Sequence, residues 1–187
     1  MKKASKSKPS TAFQEKEQVV YPLQGVGQIK KIFQREFKGE DTLYYEIYLE
    51  VSDMTVFVPV DKAEDLGIRA IVPKKEADSA LALIAEEFEP VPADWKMRYQ
   101  MNLDLLKQGS IQDIATVVRA LYHRSKVKEL PILERKLFDS ALKLLVDEVS
   151  FSLDKSKTDV EELVFTRLES DPKKPPRKTA EKTAEKT

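Results

Sequence analysis

Leu43-Tyr44-Tyr45-Glu46-Ile47-Tyr48-Leu49-Glu50-Val51 alternates without a break. Leu43, Tyr45, Ile47, Leu49 and Val51 share one face; Tyr44, Glu46, Tyr48 and Glu50 share the other, as a half-buried strand requires. Met54–Val60 repeats the period, with Met54, Val56, Val58 and Val60 inward and Thr55, Phe57 and Pro59 outward. Ser52-Asp53 reads as a tight connection between the two strands, and Lys38-Gly39-Glu40-Asp41 as a hairpin turn before the first. Ile29–Phe37 precedes that turn as another strand, and Gln18–Tyr21 opens the set. Four or five antiparallel strands in about 55 residues predict a small, strongly curved sheet or barrel.

From Pro73 the period becomes helical. Ala77, Leu81, Ile84 and Phe88 mark a first helix, ended by Pro90 and Pro92. Asp94 caps a second, with Trp95, Tyr99, Leu103 and Leu106 as its apolar stripe and a stop near Gly109. Ser110 and Asp113 start a third, with Ile114, Val118, Leu121 and Tyr122 inward. Pro131 opens a fourth, striped by Leu133, Leu137, Ala141, Leu144 and Leu145. Thr158 and Glu161 start a fifth, with Val160, Leu163, Val164 and Leu168 inward. The fold class is α+β, a small β domain (18–72) followed by an all-helical domain of about five helices (73–170). Residues 1–17 are Lys/Ser-rich and read as a disordered arm. Residues 171–187, with a repeated Thr-Ala-Glu-Lys unit, read as a disordered Lys-rich tail.

The composition narrows the chemistry. Among 187 residues, 32 Lys+Arg balance 32 Asp+Glu, and there is no cysteine and one histidine, His123. Disulfides, thiolate metal sites, a thiol nucleophile and a histidine-rich metal site are thereby excluded. The longest aliphatic run, around Ala80–Ala85, is too short to cross a bilayer. A cytoplasmic protein is expected, with no cofactor, bound metal, membrane partner or small-molecule substrate. Gly25-Val26-Gly27 lacks the helix and lysine of a phosphate loop. Adjacent carboxylates such as Glu86/Glu87 fall on one helix face rather than across a cleft. No catalytic residue is identified, and the chain is not expected to be an enzyme.

Net neutrality hides segregation: residues 88–128 carry +3 and 129–170 carry −4. Trp95, the only tryptophan, follows Pro90-Val91-Pro92-Ala93-Asp94 in the basic part. One reading packs it into the helical core with Tyr99. The other notes Lys96, Arg98 and Lys107 beside it, with Arg119, Arg124, Lys126 and Lys128 on the next helix and its exit. An amphipathic ring among cations suits a wedge or stacking platform for nucleic acid. On the β domain, Phe33 and Phe37 share a face with Arg35, and Phe57 points outward. Either the barrel closes over them, or they flank an edge that pairs with a strand of another protein.

These residues also carry a family resemblance. Val19-Val20-Tyr21-Pro22 with Gly25, Lys38-Gly39, Tyr45, Val58-Pro59 and Gly67-Ile68-Arg69 resembles the RNA-polymerase-interacting domain of CarD-like proteins. Trp95-Lys96-Met97-Arg98-Tyr99 with Asn102, Leu106, Gly109, Ile114-Ala115, Val117-Val118-Arg119 and Leu121 is similar to their C-terminal helical domain. Glu134-Arg135, Ala141, Leu145 and Glu148 continue it, so the resemblance spans about residues 18–150. It implies a bacterial transcription regulator whose Tudor-like β-barrel binds the RNA polymerase β subunit by strand pairing. It further implies a helical domain on promoter DNA at the upstream edge of the transcription bubble, with Trp95 as a minor-groove wedge stabilising the open complex. Carried over, Arg35 would meet polymerase, and Trp95, Arg98 and Arg119 would meet DNA. Together with the residues read directly, the candidate polymerase contacts are Arg35, Phe33, Phe37, Phe57 and Pro59, and the candidate DNA contacts Trp95, Lys96, Arg98, Arg119, Arg124 and Lys126. Phe57, Met97 and Gln100 depart from positions that relatives can fill with basic residues. An adaptor of polymerase without DNA contact, with Trp95 in the core, is the alternative.

Overall fold

The computed structural model describes residues 11–37, 39–86 and 92–170. Strands β1 (Gln18–Tyr21), β2 (Gly25–Phe37), β3 (Glu40–Leu49), β4 (Met54–Pro59) and β5 (Arg69–Ala70) form one antiparallel sheet in the order β4-β3-β2-β1-β5. Helices α1 (Lys74–Ile84), α2 (Trp95–Gln108), α3 (Ile111–Val127), α4 (Ile132–Leu153) and α5 (Lys157–Leu168) follow. The α+β reading holds, with one refinement: the sheet stays open between β4 and β5. A 3-10 turn at Val60–Lys62 and the segment after it carry Ala63 and Ile68 into the core. There they join Val19, Ile29, Tyr45, Ile47, Leu49 and Val58, so apolar side chains complete what strand pairing leaves open. An irregularity between Ile29 and Lys31 shifts the register and bends β2.

The turn after β3 is longer than Ser52-Asp53. Leu49 pairs with Met54, so Glu50–Asp53 all lie in the connection, closed by a 2.7 Å hydrogen bond from Tyr48 Oη to Asp53. Met54 falls on the inward register opposite Leu49 yet is exposed, because the strand begins beyond the core.

The arm expected over 1–17 is packed from Thr11 onward. Phe13 lies against the β core, 5.9 Å from the Tyr45 ring, and its N–H donates to the Tyr45 hydroxyl. Lys16 N–H donates to the Ile29 carbonyl, and Ile29 N–H to that of Glu17. One apolar ring and a set of hydrogen bonds to β2 and β3, including Ile32 N–H to the Glu15 carboxylate at 3.0 Å, anchor a segment whose composition reads as disorder. Residues 1–10, the 171–187 tail, Phe88 and Pro90 lie outside the described residues.

In the helical module Ala77, Leu81 and Ile84 of α1, Val117, Val118 and Leu121 of α3, Ala141 and Leu145 of α4, and Val160 and Val164 of α5 form one core. Two expected details shift. Leu133 is exposed, one turn too early to reach that core. The last helix begins at Ser156, whose side chain accepts from Asp159 N–H, two residues before Thr158.

Arg69 of β5 joins the modules. Its guanidinium donates to both carboxylate oxygens of Glu148 on α4, at 2.5 and 2.8 Å, and to the Gly109 carbonyl at 2.7 and 3.2 Å.

Candidate functional site

On the sheet, register decides which residues share a face. Phe33 stands opposite Tyr44, Arg35 opposite Thr42, Tyr44 opposite Pro59 and Glu46 opposite Phe57. All alternate with the buried Tyr45 and Ile47, so they belong to the outer face. Phe33 stacks on Tyr44 at 5.9 Å and meets Phe57 edge-on at 5.6 Å. Phe57 is 55% exposed, and Arg35 is exposed on the same face, two residues along β2 from Phe33. The barrel therefore does not close over these rings. They form a three-ring apolar platform on the strands leading to the free edge of β4. Phe37 pairs with Glu40 at the hairpin, and its side chain lies outside the described ones.

On the helical module, Asp94 caps α2 by accepting from Lys96 N–H at 2.9 Å. Trp95, the next residue, is 39% exposed, with Lys96 Nζ 6.0 Å from its ring centre. Half-buried Tyr99 and Leu103 reach the core, but Trp95 sits in the first turn, past its end. Met97 and Met101 are exposed on the outer face of α2.

Arg98 is a correction. Expected among cations facing DNA, it is 2% exposed. Its Nε and Nη2 donate to the two oxygens of Glu134, itself fully buried, at 2.7 and 2.8 Å. Its Nη1 donates to the Pro92 carbonyl at 2.6 Å and that of Ala93 at 3.3 Å. The inward stripe of α2 is thus Arg98, Asn102 and Leu106, rather than one running through Trp95. Arg119 is also turned inward: Nη1 donates to the Leu83 carbonyl at the end of α1 and lies 3.7 Å from Glu86. Neither guanidinium is presented to solvent as a phosphate contact would need.

The other expected cations remain available. Lys96 and Lys126 are exposed and Arg124 half-buried. Lys126 Nζ sits 4.7 Å from the Tyr122 ring centre, and its pKa is raised, chiefly by a hydrogen bond to the Tyr122 hydroxyl. His123 is pushed below its ordinary pKa, first by burial and then by Arg119. The Arg98–Glu134 pair joins the first turns of α2 and α4, and α4 follows α3 after Lys128–Pro131. Trp95, Lys96, Arg124 and Lys126 therefore gather at one end of the bundle. Among the described residues no group of three His, Asp or Glu side chains suits a metal ion, and no helix is long and apolar enough to cross a membrane.

Glu134 falls within the family resemblance, but its role as the partner of Arg98 is not legible there, since a glutamate in a first helical turn looks like an ordinary dipole partner. The available signal was Arg98, Asn102 and Leu106 at four-residue spacing, a buried stripe in which two members are polar.

Against known families, residues 13–72 match the CarD-like/TRCF RID domain, and residues 79–165 match the CarD C-terminal domain. A protein of Bacillus subtilis (strain 168) whose name, YdeB, carries a proposed role as a transcription factor is 37% identical over 141 residues, 73% of this chain and 90% of that protein. The chain belongs to the CarD-like family. Transcription regulation is the class of function this membership carries, and the family is not one of enzymes. In this CarD-like protein the first match begins at residue 13, at the Phe13 that packs on the β core.

Proposed function

We propose that this protein regulates transcription by docking on the RNA polymerase β subunit through its β module and stabilising the open promoter complex with Trp95 at the upstream edge of the bubble. The observation that carries the reading is the placement of Trp95: a large ring, 39% exposed, on the first turn of a capped helix beside Lys96. A ring sealed in the core would favour an adaptor without DNA contact, and this exposure speaks against it.

Promoter opening is close to balanced, so a modest bias suffices. Stacking on one base is worth about 1–3 kcal/mol, which shifts the open fraction about tenfold or more. The ring must bind the melted fork better than intact duplex, since equal affinity shifts nothing. With Arg98 and Arg119 turned inward, Lys96, Arg124 and Lys126 are left to meet phosphates. So few contacts bind weakly and without sequence preference. Tethering to polymerase supplies the missing affinity through local concentration. For that tether, Phe33, Tyr44 and Phe57 offer apolar contact, with Pro59 and the cation of Arg35 on the same face; Phe37 is included in the proposed contact by its position at the end of β2. Phe57 gives the partner an exposed ring where some relatives offer a charge.

Trp95→Ala tests the proposal. It should leave the fold and polymerase binding intact while shortening the open-complex lifetime about tenfold. Equal lifetimes would refute the DNA contact. Arg35→Glu should abolish capture of the β subunit in a pull-down, and retention would refute the docking face.

A further inference from the structure

We infer that the buried Arg98–Glu134 pair is a positioning device that aims Trp95, an inference resting on the proposed function above. Three observations converge on it. Arg98 uses Nε and Nη2 in a two-pronged bond to Glu134, leaving Nη1 for the Pro92 and Ala93 carbonyls. Those carbonyls belong to the segment that delivers the chain to the Asp94 cap and to Trp95 itself. Glu134 is fixed from its own side, in the first turn of α4, where the helix dipole favours a carboxylate. One guanidinium therefore clamps the entry to α2 and pins its first turn to α4.

A buried ion pair is a poor device for stability alone, because well-packed apolar side chains of similar size serve as well or better. What apolar side chains lack is direction. The planar guanidinium fixes donor angles toward a carboxylate and toward carbonyls simultaneously. Trp95, three residues before Arg98, stands at the first turn of α2 and is 39% exposed, so the direction of that turn sets the direction of the ring. An indole at a DNA fork must enter at a set angle, and a loosened helix start would spread that angle over many orientations. The same geometry removes Arg98 from direct phosphate contact, which gives the inference its sharpest consequence.

The test uses the full chain with Arg98→Met and Glu134→Leu combined, so that no charge is left buried alone. The double variant should stay folded by circular dichroism. Its Trp95 should show raised acrylamide quenching and lower fluorescence anisotropy, and its open-complex lifetime should fall about tenfold, toward that of Trp95→Ala. Binding to forked DNA should keep the wild-type salt slope, whereas loss of a phosphate contact would lower it by about one. Wild-type quenching and lifetime in the folded double variant would overturn the inference, as would a reduced salt slope. Should the double variant not fold, Arg98→Lys takes its place: a lysine keeps the charge but cannot serve both partners, and wild-type quenching would again overturn the inference. If Trp95→Ala leaves the lifetime unchanged, the proposed function fails, and quenching alone decides whether Arg98 and Glu134 aim the ring.

Discussion

A methyl group added at Gly27 would sit 2.7 Å from Ile47 Cγ2, 2.9 Å from Leu49 Cδ2 and 3.1 Å from the Tyr48 carbonyl. Overfilling a packed core costs about 1–3 kcal/mol, and the unfolded-state entropy gained by replacing glycine returns about 0.4–1 kcal/mol. Gly27→Ala should therefore lower stability by about 1–2 kcal/mol in urea denaturation, and a rise would show that the sheet yields. His123 carries a second prediction. Its folded pKa lies below the 6.5 of the free side chain, so below pH 6.5 the unfolded chain binds more protons than the folded one. That contribution is absent above both pKa values and destabilises progressively as pH falls through the unfolded value toward the folded one. The melting temperature should thus drop more steeply between pH 7 and pH 5 than in His123→Gln, and parallel curves would contradict the shift. Single residues are also where sequence reasoning reached furthest and failed most clearly. The outward Phe57 was legible from alternation. Gly25-Val26-Gly27, which glycine chemistry suggests as a turn, is instead the start of β2, paired with Tyr21, Val20 and Val19, and the turn lies at Pro22–Gln24. The burial of Arg98 was not legible, because an arginine in a basic stretch looks the same whether it faces water or a carboxylate 36 residues away.

Elements were legible where their period was long. Alternation through Leu49 and helical spacing in α1 and α3 place the right residues inside. Boundaries were harder, and α5 shows why: Ser156-x-x-Asp159 and Thr158-x-x-Glu161 both have the capping spacing. The structure uses the first, since α4 ends at Asp154 in a left-handed conformation and the chain turns straight into Ser156. Ser156→Ala should then cost about 1 kcal/mol in thermal or urea unfolding, and Thr158→Ala close to nothing. The reverse order would put the helix start back at Thr158. The same reasoning covers α3, where Ser110 accepts from Asp113 N–H at 3.1 Å, although Gly109 and Ser110 also border the module junction.

At the scale of the whole molecule, the proposed function requires the sheet and the start of α2 to keep one geometry between them. Arg69 and Glu148 supply much of it, and no local pattern connects residues 79 apart. Glu148 is almost fully buried and holds both the guanidinium and the Val72 N–H; the guanidinium in turn holds the Gly109 carbonyl between α2 and α3. Arg69→Met leaves that carboxylate buried with one donor, at a cost of about 1–3 kcal/mol. Because the lost bonds cross between two separate apolar cores, the damage falls on their coupling rather than on either core. Calorimetry should resolve one cooperative transition in the parent chain into two in Arg69→Met. Adding Glu148→Leu should restore much of the stability by removing the stranded charge, but not the single transition, since the tie to Gly109 stays broken. A single unshifted transition in Arg69→Met would mean that the apolar contacts between α4 and β2 hold the modules together without the ion pair.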